Sequence, residues 1–244
     1  MGSRPTDSTK NIGLFGVLFY CKLYRILLYN YMTKHITLKG SYSGKEDKVE
    51  VGVDEAGRGA LCGPVTVAAC IMPFGFQHPL IKDSKLLNEG QRAKAREVVL
   101  QNAIAYSVVH ISPEEIDNTN ILRATLRGMN ESLKEVYTGN PFDLALIDGN
   151  QFHGFSSGDT VVPYETIVGG DNKYSSIAAA SILAKTSRDA LMKQLDIEVP
   201  GYLWNSNKGY GTASHITAIK EIGGSEHHRK TFISHFLTST TELF

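Results

Sequence analysis

The run Val53-Asp-Glu-Ala-Gly-Arg-Gly59 carries the residues best suited to chemistry in this chain. Apolar alternation at Val49, Val51 and Val53 reads as a strand that delivers Asp54 and Glu55 to its end. The turn Gly57-Arg58-Gly59 follows at once. Two acids beside an exposed backbone and a cation suit a divalent metal held against a phosphodiester, because oxygen-ligand cations are bound by a few carboxylates plus substrate phosphates. The N–H groups of the turn and the Arg58 guanidinium can then meet the phosphate or sugar. Two other readings compete. Asp-Glu before glycine is common in ordinary turns. A dinucleotide-binding turn needs G-x-G-x-x-G opening a helix. Here the glycines fall at 57, 59 and 63, and Pro64 with Val65-Thr-Val67 announces a second strand instead.

Further acids stand at comparable places. Asp148 ends the apolar run Leu144–Ile147 and precedes Gly149, where a side chain would project into a crevice at the sheet's edge. Asp171 sits just ahead of a helix, and on its own it reads first as a helix cap or a charge supporting the helix dipole and only second as a ligand. Asp54 and Glu55 are strand neighbours, which point to opposite faces, so both reach one metal only if the strand ends or twists at Glu55. Four acids at one sheet end would repel one another unless their pKa values rise or two divalent ions offset the charge. Two such ions ~3.5–4 Å apart suit an in-line phosphoryl displacement. Ser181 and Lys185 lie four apart on one helical face and suit a backbone phosphate, the alternative being a solvated lysine. No Walker loop is present, and no Ser-His-Asp set stands out.

These residues need a framework. Val49–Asp54 and Val65–Met72 read as strands, Asn88 as the cap of a helix to about Gln101, and Ala103–Ile111 as a third strand. Ser112-Pro113 opens a helix expected to reach Tyr137. Leu144–Ile147 and Thr160–Val168 read as further strands, and Ser175–Leu195 as a helix rich in small residues. A loop with Tyr202 and Trp204, a short helix over Ser214–Ile222 and the basic tail His227-His-Arg-Lys230 complete an α/β sandwich with a mixed sheet.

The 244 residues suit one substantial domain, and a net charge of zero requires any nucleic-acid contact to come from a local basic patch. Cys21, Cys62 and Cys70 form no CxxC pair, which argues against a zinc site or a disulfide framework and suits a reducing cytoplasm. Between Asn11 and Tyr31 the chain is crowded with apolar residues, but Lys22 and Arg25 interrupt them. The uninterrupted run Ile12–Cys21 is too short to span a bilayer, and no small-residue cleavage site follows it. Residues 1–31 are expected to be a loosely held, dispensable or non-native extension, with Met32 a second candidate initiator; a membrane- or partner-binding segment is the alternative.

At this point the residues resemble the type 2 ribonucleases H of bacteria, ribonuclease HII, over about Val49 to Phe232. The landmarks come in order: V-D-E-A-G-R-G-A-L-C-G-P-V from Val53, D-S-K-L-L from Asp83, L-I-D-G from Leu146, G-D-N-K-Y-S-S-I-A-A-A-S-I-L-A-K from Gly170, N-K-G-Y-G-T from Asn207 and H-R-K-T-F from His228. The resemblance implies a ribonuclease H-like fold, a mixed five-stranded sheet flanked by helices with a small helical C-terminal part. It also implies endonucleolytic cleavage of RNA in RNA–DNA hybrids and at single ribonucleotides in duplex DNA, leaving 5′-phosphate and 3′-hydroxyl ends. By the same resemblance Asp54, Glu55, Asp148 and Asp171 are metal-binding and catalytic. Gly57, Arg58 and Gly59 read the 2′-hydroxyl through backbone and hold the scissile phosphate through arginine. Tyr210 stacks on the deoxyribose after the ribonucleotide, and Ser84, Lys85, Ser181 and Lys185 grip strand phosphates. Glycine permits the close backbone approach that reading a 2′-hydroxyl needs.

Departures are few. Asn88 stands where the family commonly has Ser or Thr, and Cys62 and Cys70 replace small residues. Too little chain precedes the first strand for the N-terminal domain of type 3 enzymes. The expectation is therefore an N-terminal extension over 1–48, a catalytic domain over 49–236 and a tail over 237–244. The protein is expected to use two Mg²⁺ or Mn²⁺ ions and to act on hybrid and ribonucleotide-containing duplex as a cytoplasmic monomer without a membrane. Recruitment by a sliding clamp is not readable. Rival readings are a non-cutting nucleic-acid-binding module and a membrane-anchored interaction protein.

Overall fold

The computed structural model describes residues 38–237. The expectations for residues 1–31, for Cys21 and for most of the 237–244 tail fall outside them. Seven strands are described: β1 (Glu50–Ala56), β2 (Val65–Ile71), β3 (Ala105–Ile111), β4 (Leu144–Asp148), β5 (Phe155–Ser157), β6 (Thr160–Val162) and β7 (Tyr164–Ile167). The helices are α1 (Glu89–Asn102), α2 (Pro113–Asn118), α3 (Ile121–Gly139), α4 (Ser175–Glu198), α5 (Trp204–Asn207), α6 (Ala213–Ile222) and α7 (Lys230–Leu237), with 3₁₀ turns at Ser84–Leu86 and Gly170–Asn172.

The main sheet has five strands in the order β3-β2-β1-β4-β7. β1, β2 and β3 form an antiparallel meander, while β4 runs parallel to both β1 and β7. The expected mixed five-stranded α/β sheet is therefore present. Alternation along β1 and β2 sends Val51, Val53, Val67 and Ala69 to one face, where Leu126, Met129 and Leu133 of α3 cover them. The opposite face, with Ala68 and Cys70, meets Ala178, Ala179 and Leu183 of α4 and Ala95 and Val99 of α1. The small residues of α4 have a steric reason: a Cβ on Gly52 would lie 2.2 Å from the Ser176 carbonyl carbon, so helix and strand touch backbone to backbone. A third core of Cys62, Met192, Tyr202, Trp204, Ile219 and Ile233 joins the far end of α4 to the small helical C-terminal part.

Three expected elements differ. The helix expected from Ser112 to Tyr137 is two helices: Ser112 and Pro113 start α2, and Asn120 caps α3 by accepting the Arg123 N–H at 2.9 Å. A second capping residue inside the stretch restarts the helix. The strand expected over Thr160–Val168 breaks at Pro163, which cannot donate to a ladder. β6 pairs with β5 in a separate hairpin, and only β7 joins the main sheet. The basic tail is not a tail. His228 and Arg229 are buried and introduce α7, whose first N–H groups, from Lys230 and Thr231, are capped by Asp117 at 2.7 and 3.0 Å. Upstream of Val49 the chain is already tied to the fold. Leu38 is buried, Lys39 accepts the Ser175 N–H at 3.0 Å, and Glu50 accepts the N–H groups of Tyr42 and Ser43. Among the described residues no helix is long and apolar enough to cross a membrane.

Candidate active site at the open end of the sheet

The parallel ladder between β1 and β4 ends at Val53 opposite Ile147. On either side the sheet continues, β1 with β2 to Ala56 and β4 with β7 to Asp148. The sheet thus forks immediately before Asp54 and Asp148. Of the two alternatives the sequence left, a strand that ends or one that twists at Glu55, the first does not hold, since β1 runs on to Ala56. It is the fork, together with Asp148, that brings the acids into one field.

Burial, then the charges of Glu55 and Asp148, hold the Asp54 carboxyl well above the usual range, although hydrogen bonds from Ser181 and the Glu55 N–H, the latter at 2.7 Å, work the other way. Glu55 is raised chiefly by burial, with Arg58 opposing and Asp148 reinforcing. Asp148 accepts the Gly170 N–H at 2.7 Å, which locks the turn before α4 onto β4. Asp171 lies inside that turn and is 2% exposed. It does not cap α4, whose Ser175 N–H is taken by Lys39 instead. Its carboxyl is raised by burial, then by Asp148 and Asp83. The cap reading of Asp171 therefore fails, and its charge belongs with the other three.

Cations hold this cluster together. Arg58 reaches Glu55 Oε1 at 3.3 Å, and Lys85 lies 3.7 Å from Asp171 Oδ2. Burial works against the Lys85 charge, but Asp171, Asp83, Asp54 and Asp148 outweigh it and raise the ammonium. Two buried oxygens, Glu55 Oε2 and Asp171 Oδ2, have no hydrogen-bond partner. Buried carboxylate oxygens without a hydrogen bond, in a repelling all-oxygen set, fit a hard divalent cation. Among the described residues no three such groups close into a ready-made metal cage.

A cleft of about 430 Å³ opens beside the acids. Asp54 and Glu55 form one wall, Gly57, Arg58 and Gly59 another, and Ser84, Lys85, Ser181, Lys185 and Tyr210 complete the lining. Every residue expected to touch substrate is thus gathered around one space. Ser84 and Ser181 share a hydrogen bond of 3.0 Å that joins the 3₁₀ turn to α4. Asp83 accepts the Lys85 N–H at 2.8 Å and so fixes that turn. Lys185 is not merely solvated: it pairs with Asp189 at 2.8 Å and stands 5.8 Å from the centre of the Tyr210 ring.

Three contributors escaped the sequence reading. Asp83 is a fifth acid near Asp171, visible only as part of a motif. Arg188 and Arg229 are fully buried. Arg188 donates to the carbonyls of Pro64, Lys208 and Cys62 at 2.8–2.9 Å, and its guanidinium lies 5.3 Å from the Tyr210 ring centre. Arg229 donates to the carbonyls of Gly63, Arg58 and Gly57 at 2.7–3.0 Å. Burial, then Arg188, bring Arg229 down to about 9. The glycines make these clamps feasible: at Gly57, with φ +92°, a Cβ would fall 2.0 Å from Arg188 Nε. The loop ahead of Tyr210 is built likewise, since Lys208 has φ 52° and a Cβ on Gly209 would meet the Cys62 carbonyl at 2.5 Å.

Comparison with known proteins finds relatives over most of the chain. The family profile described as Ribonuclease HII matches residues 51–238. Ribonuclease HII of Porphyromonas gingivalis is 48% identical over 189 residues, 77% of this chain and 90% of that protein. Its counterpart in Bacteroides thetaiotaomicron is 49% identical over 187 residues, with the same coverage of 77% and 90%. Among solved structures, the ribonuclease H2 from Pyrococcus horikoshii OT3 superposes with a TM-score of 0.63 at 22% identity, covering 77% of this chain and 98% of that one. Bst-RNase HIII in complex with Mn²⁺ gives 0.59 at 16% identity, covering 78% and 71%.

Proposed function

The chain belongs to the ribonuclease HII family, and we propose that it hydrolyses RNA–DNA hybrids and also incises on the 5′ side of single ribonucleotides embedded in duplex DNA. Family membership makes it a metal-dependent nuclease acting on RNA–DNA substrates; the embedded-ribonucleotide activity and the division of labour below are our reading. The observation that carries it is the cleft that joins two repelling acids of the sheet fork to a glycine-rich turn, two lysines and an aromatic ring.

Asp54, Glu55, Asp148 and Asp171 would hold two divalent ions, Mg²⁺ or Mn²⁺. When bound, these supply an activated water and neutralise charge on the departing 3′-oxygen. The protein's own groups do the rest. Arg58 leaves Glu55 for the scissile phosphate, a charge-assisted pairing of guanidinium with a doubly accepting anion. The backbone of Gly57-Arg58-Gly59 approaches the ribose closely enough to bond its 2′-hydroxyl, the group that marks RNA at one nucleotide. Tyr210 offers a face to the next sugar. Ser84, Lys85, Ser181 and Lys185 bind phosphates along the strand, which gives a protein of zero net charge its local basic surface. The products are a 5′-phosphate and a 3′-hydroxyl.

The same reading keeps the first 31 residues as a dispensable extension and 237–244 as a tail, while the catalytic domain takes in residues 38–48 as well as 49–236, since Leu38 is buried and Lys39 accepts the Ser175 N–H. It has the protein working as a cytoplasmic monomer; the two described cysteines, Cys62 and Cys70, are free thiols, as a reducing compartment leaves them. The test is cleavage of a labelled DNA duplex containing one ribonucleotide, with Mg²⁺, with Mn²⁺ and with chelator, using the whole chain and a version begun at Met32. Metal-dependent incision 5′ to the ribonucleotide by both proteins is the expected result. Cutting of long hybrid alone would overturn the embedded-ribonucleotide assignment, and loss of activity in the shorter protein would overturn the domain division.

A further inference from the structure

Arg229 touches nothing in the cleft, yet it determines the form of the turn that lines it. Its Nη1 and Nη2 donate to the carbonyls of Arg58 and Gly57 at 2.8 and 2.7 Å, and its Nε donates to Gly63 at 3.0 Å. The peptide units carrying the first two carbonyls are those whose N–H groups belong to Gly59 and Arg58. In a trans peptide the C=O and N–H point in opposite directions, and no cis bond occurs among the described residues. Pulling both carbonyls inward therefore turns both N–H groups outward, on residues that line the cleft. Neither N–H donates to a partner among the described residues.

Charge adds to geometry. A guanidinium on a carbonyl polarises the whole peptide unit and makes its N–H a stronger donor. All three Arg229 nitrogens go to carbonyls, as do all three of Arg188, and neither side chain forms an ion pair with a carboxylate among the described residues. Two buried positive charges with no carboxylate in ion-pair contact, Asp189 and Asp117 acting on them only from farther off, thus lie beneath a turn that offers free N–H groups, which is how a preorganised site for an oxygen acceptor is built. Arg229 is itself fixed: Asp117 caps the helix that starts beside it, and its guanidinium lies 5.3 Å from the Phe232 ring centre.

We propose that Arg229 is a positioning residue for ribose recognition, orienting and polarising the Arg58 and Gly59 N–H groups so that they discriminate a 2′-hydroxyl from a deoxyribose. This rests on the reading that the Gly57-Arg58-Gly59 turn contacts the ribonucleotide, and the experiment separates the two. The readout is the ratio of dissociation constants for all-DNA duplex and for the same duplex with one ribonucleotide, measured in an Asp148→Asn background so that no cleavage intervenes. Gly59→Ala tests the turn. A Cβ there meets nothing within 4 Å, so the fold has room for it while an approaching ribose does not. Arg229→Lys tests the proposal, since lysine keeps the charge but lacks the three-nitrogen fork. Ile233→Val, a buried change in the helix that follows Arg229, controls for stability.

Both Gly59→Ala and Arg229→Lys are expected to lower the ratio by about fivefold to tenfold, the size of one lost backbone hydrogen bond, while Ile233→Val leaves it alone. An unchanged ratio in Gly59→Ala overturns the turn reading. A lowered ratio in Gly59→Ala with an unchanged ratio in folded Arg229→Lys overturns the role of Arg229. Should Arg229→Lys not fold, the wild-type protein decides. The guanidinium NMR signals of Arg229 must shift together with the Arg58 and Gly59 amides when ribonucleotide-containing duplex is added, and must shift less with all-DNA duplex. Static Arg229 signals overturn the proposal.

Discussion

The acids at the sheet fork and the arginine–histidine floor beneath Tyr210 are both polar clusters in a protein interior, and they are built on opposite terms. At the fork, carboxylates crowd one another, two buried oxygens lack partners and three carboxyls are pushed up. In the floor every guanidinium nitrogen of Arg188 and Arg229 has a carbonyl. The ring nitrogens are matched as well. His215 Nδ1–H donates to the Tyr210 carbonyl, and the single lone pair of His215 Nε2 is shared by the N–H groups of Trp204 and His228 at 3.0 and 3.1 Å. His228 Nδ1 accepts the Ser225 N–H, so both rings are neutral and each tautomer is set by its neighbours. A buried polar group left unsatisfied costs more than a satisfied one returns. The fork therefore carries a standing cost that cations can relieve, and the floor is rigid scaffolding.

The largest expected effect breaks the fork. Asp54→Asn should reduce cleavage by about 10³-fold, the result of losing roughly 4 kcal/mol of charge stabilisation, while hybrid binding persists. It should also raise the metal-free melting temperature and shrink the rise produced by Mn²⁺, because one repelling charge is gone. Single-turnover assays and thermal melts with and without Mn²⁺ check both, and wild-type cleavage would remove Asp54 from the site. Next comes Arg58→Ala, expected to lower kcat/KM by about 10–100-fold through loss of a charge-assisted phosphate contact. Steady-state kinetics should place the loss in both KM and kcat.

Tyr210→Ala is smaller and more selective. A lost aromatic contact is worth ~1 kcal/mol, so preference for the RNA-to-DNA junction over the interior of a hybrid should drop by about fivefold while the melting temperature moves little. An unchanged preference would take Tyr210 out of the site. The smallest effect is in pH, and there the two clusters should differ in sign. The Asp54 carboxyl is raised above its ordinary 3.8. The folded state then holds protons the unfolded chain releases, and metal-free stability from this group falls as pH rises through that raised value. His228 is lowered from 6.5 to about 4, by burial and then by His215 and His227. Its contribution is complete above pH 6.5 and is lost as pH falls from 6.5 towards about 4, since only the unfolded chain takes up the proton there. Urea midpoints across pH 4–7 in chelator test this. In Asp54→Asn the acid-side gain should shrink while the histidine loss remains, and parallel curves for the two proteins would contradict the contrast.

How much of this the sequence held depends on whether the relevant contact is local. Period-two alternation at Val49, Val51 and Val53 located β1, and Asn88 and Ser112 located helix starts, because caps and strand faces are set by neighbours in the chain. The residues that line the cleft could be named together from the sequence chiefly because their short runs resemble family motifs: the glycines around Arg58, the serine and lysine four apart on α4, the glycines around Tyr210. Pro163 and Asn120, which split an expected strand and an expected helix, were local signals overlooked rather than absent ones.

Arg229 looked like part of a solvated basic tail, since no neighbour in sequence discloses carbonyls more than 160 residues away. Asp171 read first as a cap, because only the path of residue 39 shows that the Ser175 N–H is already taken. Sequence by itself determined which residue types could carry phosphodiester chemistry and in which local elements they sit. The tertiary structure alone decided that the β1–β4 ladder stops one residue before Asp54 and that two arginines are buried beneath the turn. Both are consequences of long-range pairing and burial, in which the partner that satisfies or frustrates a group lies far along the chain.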